Sequence, residues 1–401
     1  MEIWLEWWER SLKRWVLLIF ICIFSILTAG CWDRIEINDL ALIMATGVDA
    51  ASNNKMKVSI QMAIPSQGES QNGSMAKTGK SYFVVADTGS DIWGTTSRIQ
   101  EKLSRRVFTA HRRILIIGEK LASQGIQPIL DAFVRHPESR LRTYVVVAKG
   151  ATAEKILKAS YPLEKAPTEG IRELLHSQIG LVVDLKDLLM DRSSNQSIVL
   201  PTIEITNGKG SSKVFRLSGA AVFHHDKLAG YLGDHQTREL IWLRGKPLKA
   251  ELSIKIPKLK GRISADILKK STNMKARKIH GRMVMKIDTS ANIGISENQT
   301  KLDLEDPETI HSIERLFAKE LKNKLHTTLK EIQQNYQSDV VGFGEVIHRT
   351  YPKDWKGIKQ NWDMEFPQIK VVLHTDVKIK RTGMTSLPIN IPEKQIRKSL
   401  P

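Results

Sequence analysis

The feature that most limits what this chain can fold into lies between residues 15 and 31. Trp15 to Leu27 is an unbroken apolar run, with Arg10, Lys13 and Arg14 before it and Thr28, Ala29 and Gly30 after it. A cationic start, a short apolar middle and a small-residue end are the parts of a secretory leader. A permanent helical span needs about 20 apolar residues, more than this run holds. The folded protein is therefore expected to begin at Cys31, with residues 1–30 removed as a signal peptide. An uncleaved N-terminal anchor and ordinary secretion are the alternatives. Cys22 would leave with the leader, so Cys31 is the single cysteine of the mature chain. That excludes an internal disulfide and a thiolate metal site. A chain exported without disulfides has to be held by its hydrophobic core, which a length of 401 residues permits.

Charge narrows the partners. The net charge is +18, and Arg10, Lys13 and Arg14 cancel Glu2, Glu6 and Glu9 in the leader, so the excess belongs to the mature part. Arg244 to Asp288 holds fourteen Lys or Arg against three Asp or Glu. On an exported protein such a field suits anionic headgroups or wall polymers, each basic residue near an anionic surface contributing about 1 kcal/mol. Nucleic acid, the other partner of basic chains, is disfavoured by export.

The patterning predicts an α+β protein with mixed sheets and packed helices in about three domains. Leu40–Val48 and the alternating Met56, Val58, Ile60, Met62 and Ile64 read as strands joined by a turn at Ser52-Asn53-Asn54. Tyr82–Ala86 follows as a third strand. From Thr88 the period becomes helical, with Ser90 as the expected cap. Ile114–Ile117 and Tyr144–Ala148 are continuous apolar runs, expected of strands buried on both faces. A first domain over 31–206, a Gly/Ser linker over 207–213, a β-rich middle domain over 214–272 and a C-terminal α+β domain over 273–390 are expected. The last would carry the longest helix, 307–336, opened by Asp306-Pro307-Glu308 and striped by Ile310, Ile313, Phe317, Leu321, Leu325, Leu329, Ile332 and Tyr336.

Three clusters are candidates for chemistry or contact. Arg105, Arg106, His111, Arg112 and Arg113 crowd nine residues and could meet an anion or a partner; the alternative is that they complement a helix end and stand in solvent. Lys255, Lys258, Lys260 and Arg262 fall on outward strand positions, either a membrane-facing basic surface or edge lysines that block aggregation. His224-His225-Asp226 with Asp234 and His235 is the nearest approach to a metal set. Neighbours on a strand point to opposite faces, so His224 and His225 cannot both reach one ion without a kink, and no metal is expected there. No nucleophile elbow, metalloprotease histidine pair, dinucleotide fingerprint or phosphate loop is present, and the chain is not expected to be an enzyme or to hold a cofactor.

Gly30-Cys31 at the end of the leader resembles the lipobox of bacterial lipoproteins, although Thr28 stands where Leu, Val or Ile is usual. The body resembles the C subunits of spore germinant receptors, the Ger(x)C lipoproteins. The resemblance runs from Cys31-Trp32-Asp33 through Asp49, Gly89-Ser90, Arg105-Arg106, His111, Ile117-Gly118-Glu119, Gly219, Thr237-Arg238 and Trp242 to Asp339, Gly342-Phe343-Gly344, Trp355 and Trp362. It implies a three-domain protein carrying diacylglycerol and an acyl chain on Cys31, on the outer face of the spore inner membrane. It also implies two integral membrane partners, one similar to amino-acid transporters, and a scaffold or signalling role in nutrient-triggered germination. A lipid-anchored solute-binding protein that presents a small ligand to a transporter is the alternative.

Overall fold

A computed structural model describes residues 36–64, 81–159, 161–193, 196–207 and 213–383, together with residues 8, 12–21 and 397. The chain forms two sheets that share a core. The first has nine strands: β1 (Leu40–Ala50), β2 (Met56–Ala63), β3 (Tyr82–Gly89), β4 (Arg106–Phe108), β5 (Ile114–Gly118), β6 (Tyr144–Lys149), β7 (Val199–Asn207), β8 (Lys213–His224) and β9 (Lys227–Leu232). Their order is β3-β2-β1-β5-β6-β7-β8-β9, and β4 pairs with the start of β1. The four central strands run parallel and the outer ones antiparallel. Every residue of β5 is buried, the condition that its continuous Ile-Leu-Ile-Ile sequence satisfies. Asn53 and Asn54, with φ of 57° and 54°, make the two-residue hairpin between β1 and β2, a turn that asparagine tolerates.

Helices cover both faces. The α4 (Ala153–Lys158) and α5 (Pro167–His176) helices close one side over Ala45, Ile114, Ile116 and Val146. The other side receives α1 (Ile92–Gln100), α2 (Glu119–Gln124) and α3 (Gln127–Arg135), with α6 (Leu185–Ser193) and α7 (Asp234–Leu243). Asp91, not the expected Ser90, caps α1, because its carboxylate accepts the Gly94 N–H at 2.6 Å.

The second sheet has the order β10-β11-β12-β13, formed by Glu251–Lys255, Arg262–Ile279, Arg282–Asn298 and Lys370–Arg381. The 25-residue helix α8 (Pro307–Glu331) lies across it and ends in a π-helical turn at Ile332–Tyr336. Asp306 accepts the Thr309 N–H at 2.8 Å, and Ile313, Phe317, Leu321, Leu325 and Leu329 are buried. They meet Met285, Ile287, Ala291 and Ile293 of β12 and Leu373 and Val377 of β13. The opposite face, with Lys275, Arg277, Lys286 and His374, is exposed. Three short helices, α9 (Phe343–Thr350), α10 (Pro352–Ile358) and α11 (Trp362–Glu365), join α8 to β13.

The expected borders do not coincide with a break between the sheets. Of the expected linker over 207–213, residues 208–212 lie outside the described residues, but its ends Asn207 and Lys213 belong to β7 and β8, which pair from Val199↔Val222 to Asn207↔Lys213. A hairpin, with β9 and α7 after it, thus carries the first sheet beyond residue 206. The border at 272/273 falls inside β11, which pairs with β12 along its length. This strand escapes the sequence pattern because a bulge between Ile267 and Lys269 switches which face its alternate residues occupy. Lys270 consequently points inward, with its ammonium 5.5 Å from the Trp242 ring, and burial pushes its pKa down to about 8. The sheets are bound by long-range contacts: Trp242 Nε1 donates to Thr289 Oγ1 at 2.7 Å, Tyr336 Oη to the Tyr231 carbonyl at 2.8 Å, and Gln236 Nε2 to Glu331 Oε2 at 2.6 Å.

Candidate functional site

Cys31 lies outside the described residues. The first described strand begins at Leu40, whose partner is Arg106. The segment from Arg105 to Arg113 therefore flanks the end of the sheet at which the chain enters. Its five basic or titratable residues do not act alike. Arg106 is exposed, and Arg105, His111 and Arg113 are half-buried. Gln100 holds the turn from inside, Nε2 donating to the Arg105 carbonyl and Oε1 accepting the Val107 N–H.

Arg112 departs from the expected surface role. It is 4% exposed, its guanidinium carbon is 4.7 Å from the Phe133 ring and 5.6 Å from Trp93, and Nε donates to Thr46 Oγ1 at 2.8 Å. Burial pushes its pKa down to about 10, against the nearby Glu138, so it stays charged at neutral pH. A guanidinium can be buried in this way because it is weakly hydrated and stacks on aromatic faces. Arg112 belongs to the core and is not available to an outside anion. His111 has its pKa lowered by burial first, then by Arg113 and Arg140, with Glu169 opposing.

The second basic cluster is a turn. Lys255 ends β10, Arg262 begins β11 opposite it, and Lys258 and Lys260 stand between them; the three lysines are exposed. Arg262 is the exception, since Nε donates to Ser253 Oγ at 2.8 Å and Nη2 to the Ser253 carbonyl at 3.3 Å. It joins the two strands across the pair, and the outward charge is left to the lysines.

The tryptophan-rich loop after α8 is a structural anchor. Asp339 is fully buried, and its carboxylate accepts the N–H groups of Gly342, Phe343 and Gly344 at 2.8, 3.0 and 2.7 Å and Trp362 Nε1 at 3.2 Å. Burial raises its pKa and these four donors oppose the shift. Gly342 has a φ of 96°, and a Cβ on Gly344 would meet Trp355 at 2.8 Å, so both positions need glycine. Asp49 plays the same part in the first sheet, accepting the Ala153 and Glu154 N–H groups at the start of α4.

Histidines 224 and 225 meet through a kink, the one exception to the strand argument made against them. His224 is the last residue of β8 and His225 occupies the turn, where its φ of 56° swings the ring round to within 4.4 Å of its neighbour. The carboxylate beside them is that of Asp363, 3.3 Å from His225 Nε2, and not Asp226. Asp234 instead accepts from Arg216 at 2.9 Å. No local signal marks Asp363, which is 138 positions further along. Elsewhere a cavity of ≈ 510 Å³ lies beside Tyr144, His176 and Arg244; its Arg244 is paired with Asp191 at 2.7 Å and its Lys246 with Asp187 at 3.6 Å.

Comparison with known proteins gives this architecture its context. Residues 33–205 match the family described as the spore germination protein N-terminal domain, and residues 218–383 match the spore germination B3/GerAC-like C-terminal family. The chain belongs to the GerAC-like spore germination family. Spore germination protein KC of Bacillus subtilis (strain 168) is 29% identical over 403 residues, covering 94% of this chain and 98% of that protein. Spore germination protein B3 of the same organism is 25% identical over 91% of this chain and 97% of that protein. The crystal structure of the GerBC protein superposes with a TM-score of 0.58 at 20% identity, over 84% of this chain and 97% of that one, and shares its α+β fold. The two matched segments meet at the β7–β8 pair, so in this chain the C-terminal part supplies most of β8 and all of β9 to the sheet built by the N-terminal part. Among the described residues no helix is long and apolar enough to cross a membrane.

Proposed function

We propose that this chain is the lipid-anchored subunit of a nutrient germinant receptor on the outer face of the spore inner membrane. It would work as a scaffold or signalling subunit beside two integral membrane partners, by position and contact rather than by turnover. The observation that carries the reading is the short interval between Cys31 and the fold. Leu40, the first residue of β1, lies nine positions beyond Cys31, and eight residues join the two. However they are arranged, they reach at most about 30 Å. Diacylglycerol and an acyl chain on Cys31, each buried methylene contributing about 0.8 kcal/mol, would hold the first sheet against the bilayer where one chain would not. Arg106, paired with Leu40, would then face the headgroups with Arg105 beside it. Anchoring raises the effective concentration of the two sheets near their partners, so weak polar contacts suffice for assembly.

The test is Cys31→Ala in the sporulating organism. The expected protein is folded, depleted from the inner-membrane fraction, and accompanied by a weaker nutrient response. Unchanged retention and response overturn the proposal. The solute-binding alternative rests on the cavity beside Tyr144 and His176. Saturable heat on titrating the full chain with amino acids or sugars would favour it.

A further inference from the structure

We propose that His224, His225 and Asp363 form a binding site for a divalent transition-metal ion of the zinc type, clamping the β8–β9 hairpin to the helical segment before β13. Each of the three offers a ligand atom, and these lie within 4.8 Å of one another. Bonds of about 2.0–2.1 Å in a tetrahedral array put donor atoms about 3.3 Å apart. His225 Nε2 and Asp363 Oδ2 already stand at 3.3 Å. The remaining closure is open to the side chains alone, since His225 and Asp363 are both exposed.

The surroundings supply what such a site needs beyond its ligands. His224 Nδ1 is 3.3 Å from Ser338 Oγ. That contact leaves Nε2 for the metal and fixes the ring's orientation, the part usually played by an outer-shell partner. Ser338 is itself fully buried and donates to the Tyr336 carbonyl at 2.8 Å, so its hydroxyl is held in place. The left-handed backbone at His225 holds the ring where a regular strand would turn it away. A cavity of ≈ 430 Å³, lined by Gln127, Gln196, Ser197, His225, Lys359 and Asp363, opens onto the site and has room for water as the remaining ligand.

The donor set selects the ion. Two imidazoles and one carboxylate suit zinc and its transition-metal neighbours, whereas calcium and magnesium take oxygen ligands. The ligands come from both family halves' shared sheet and from α11, so a bound ion cross-links segments 138 positions apart in sequence.

The experiment is titration of zinc chloride into tag-free, chelator-stripped full-length protein in detergent, followed by calorimetry and competition with a chromophoric chelator. One saturable ion per chain is expected, with a rise in melting temperature. His225→Asn, a substitution that tolerates the left-handed backbone, and Asp363→Asn should each weaken binding at least about tenfold and abolish the melting shift. His235→Ala, at an exposed histidine outside the cluster, should change neither. X-ray absorption of the loaded protein should show nitrogen and oxygen donors. Absence of saturable binding, equal binding by both cluster variants, or sulfur in the absorption spectrum would overturn the proposal.

Discussion

The segment from Arg105 to Arg113 and the turn from Lys255 to Arg262 look alike as sequence, each a cluster of cations among apolar residues. In the folded chain they are opposites. The first packs an arginine against the adjoining rings of Trp93 and Phe133 and buries it in the core. The second stands in water, with its single engaged arginine stapling the strand pair behind it. The difference teaches that the same side chain can act through its planar stacking surface in one place and its charge in another.

Three perturbations test that contrast. The largest effect is expected at Arg112. Arg112→Ala removes a packed side chain and leaves a cavity, and should cost about 3 kcal/mol in denaturant unfolding, with Arg112→Met recovering most of it. Arg106→Ala should stay within about 0.5 kcal/mol. Equal losses at the two positions would erase the distinction. Next in size, Lys255→Gln with Lys260→Gln should leave unfolding unchanged within about 0.5 kcal/mol. The pair should weaken binding to anionic vesicles by about 2 kcal/mol at low salt, read by sedimentation. A loss of stability instead would show that the turn is structural.

The smallest effect is a pH dependence carried by histidines in and beside the first region. His111 and His136 both have pKa values lowered chiefly by burial. A histidine whose folded pKa lies below its unfolded value binds more protons when unfolded, so stability rises with pH across the interval between the two. Unfolding monitored from pH 7.5 down to 5 should therefore show stability falling as pH drops below about 6.5. His111→Gln should flatten part of that slope, and a slope unaltered by this substitution would remove His111 from the account.

Within the first sheet much was legible. Continuous apolar runs marked β5 and β6, and the paired asparagines marked the first hairpin, because a buried strand and a tight turn each leave a local signature. Helix α8 was readable from its cap to its stripe for the same reason. The strand β11 was not, since one bulge breaks the period on which such reading depends. The role of Asp339 was not visible: nothing near Gly342-Phe343-Gly344 announced that a carboxylate three residues earlier would gather its N–H groups.

What the sequence alone determined is whatever repeats or ends within a few residues: the faces of strands and helices, the first turn, the excess of positive charge. Only the tertiary structure decided that Arg112 is inside, that β8 and β9 belong to the first sheet, and that Asp363 meets His224 and His225. Those outcomes depend on which surfaces pack together across a hundred residues or more, and a periodic pattern records burial without naming the partner that provides it.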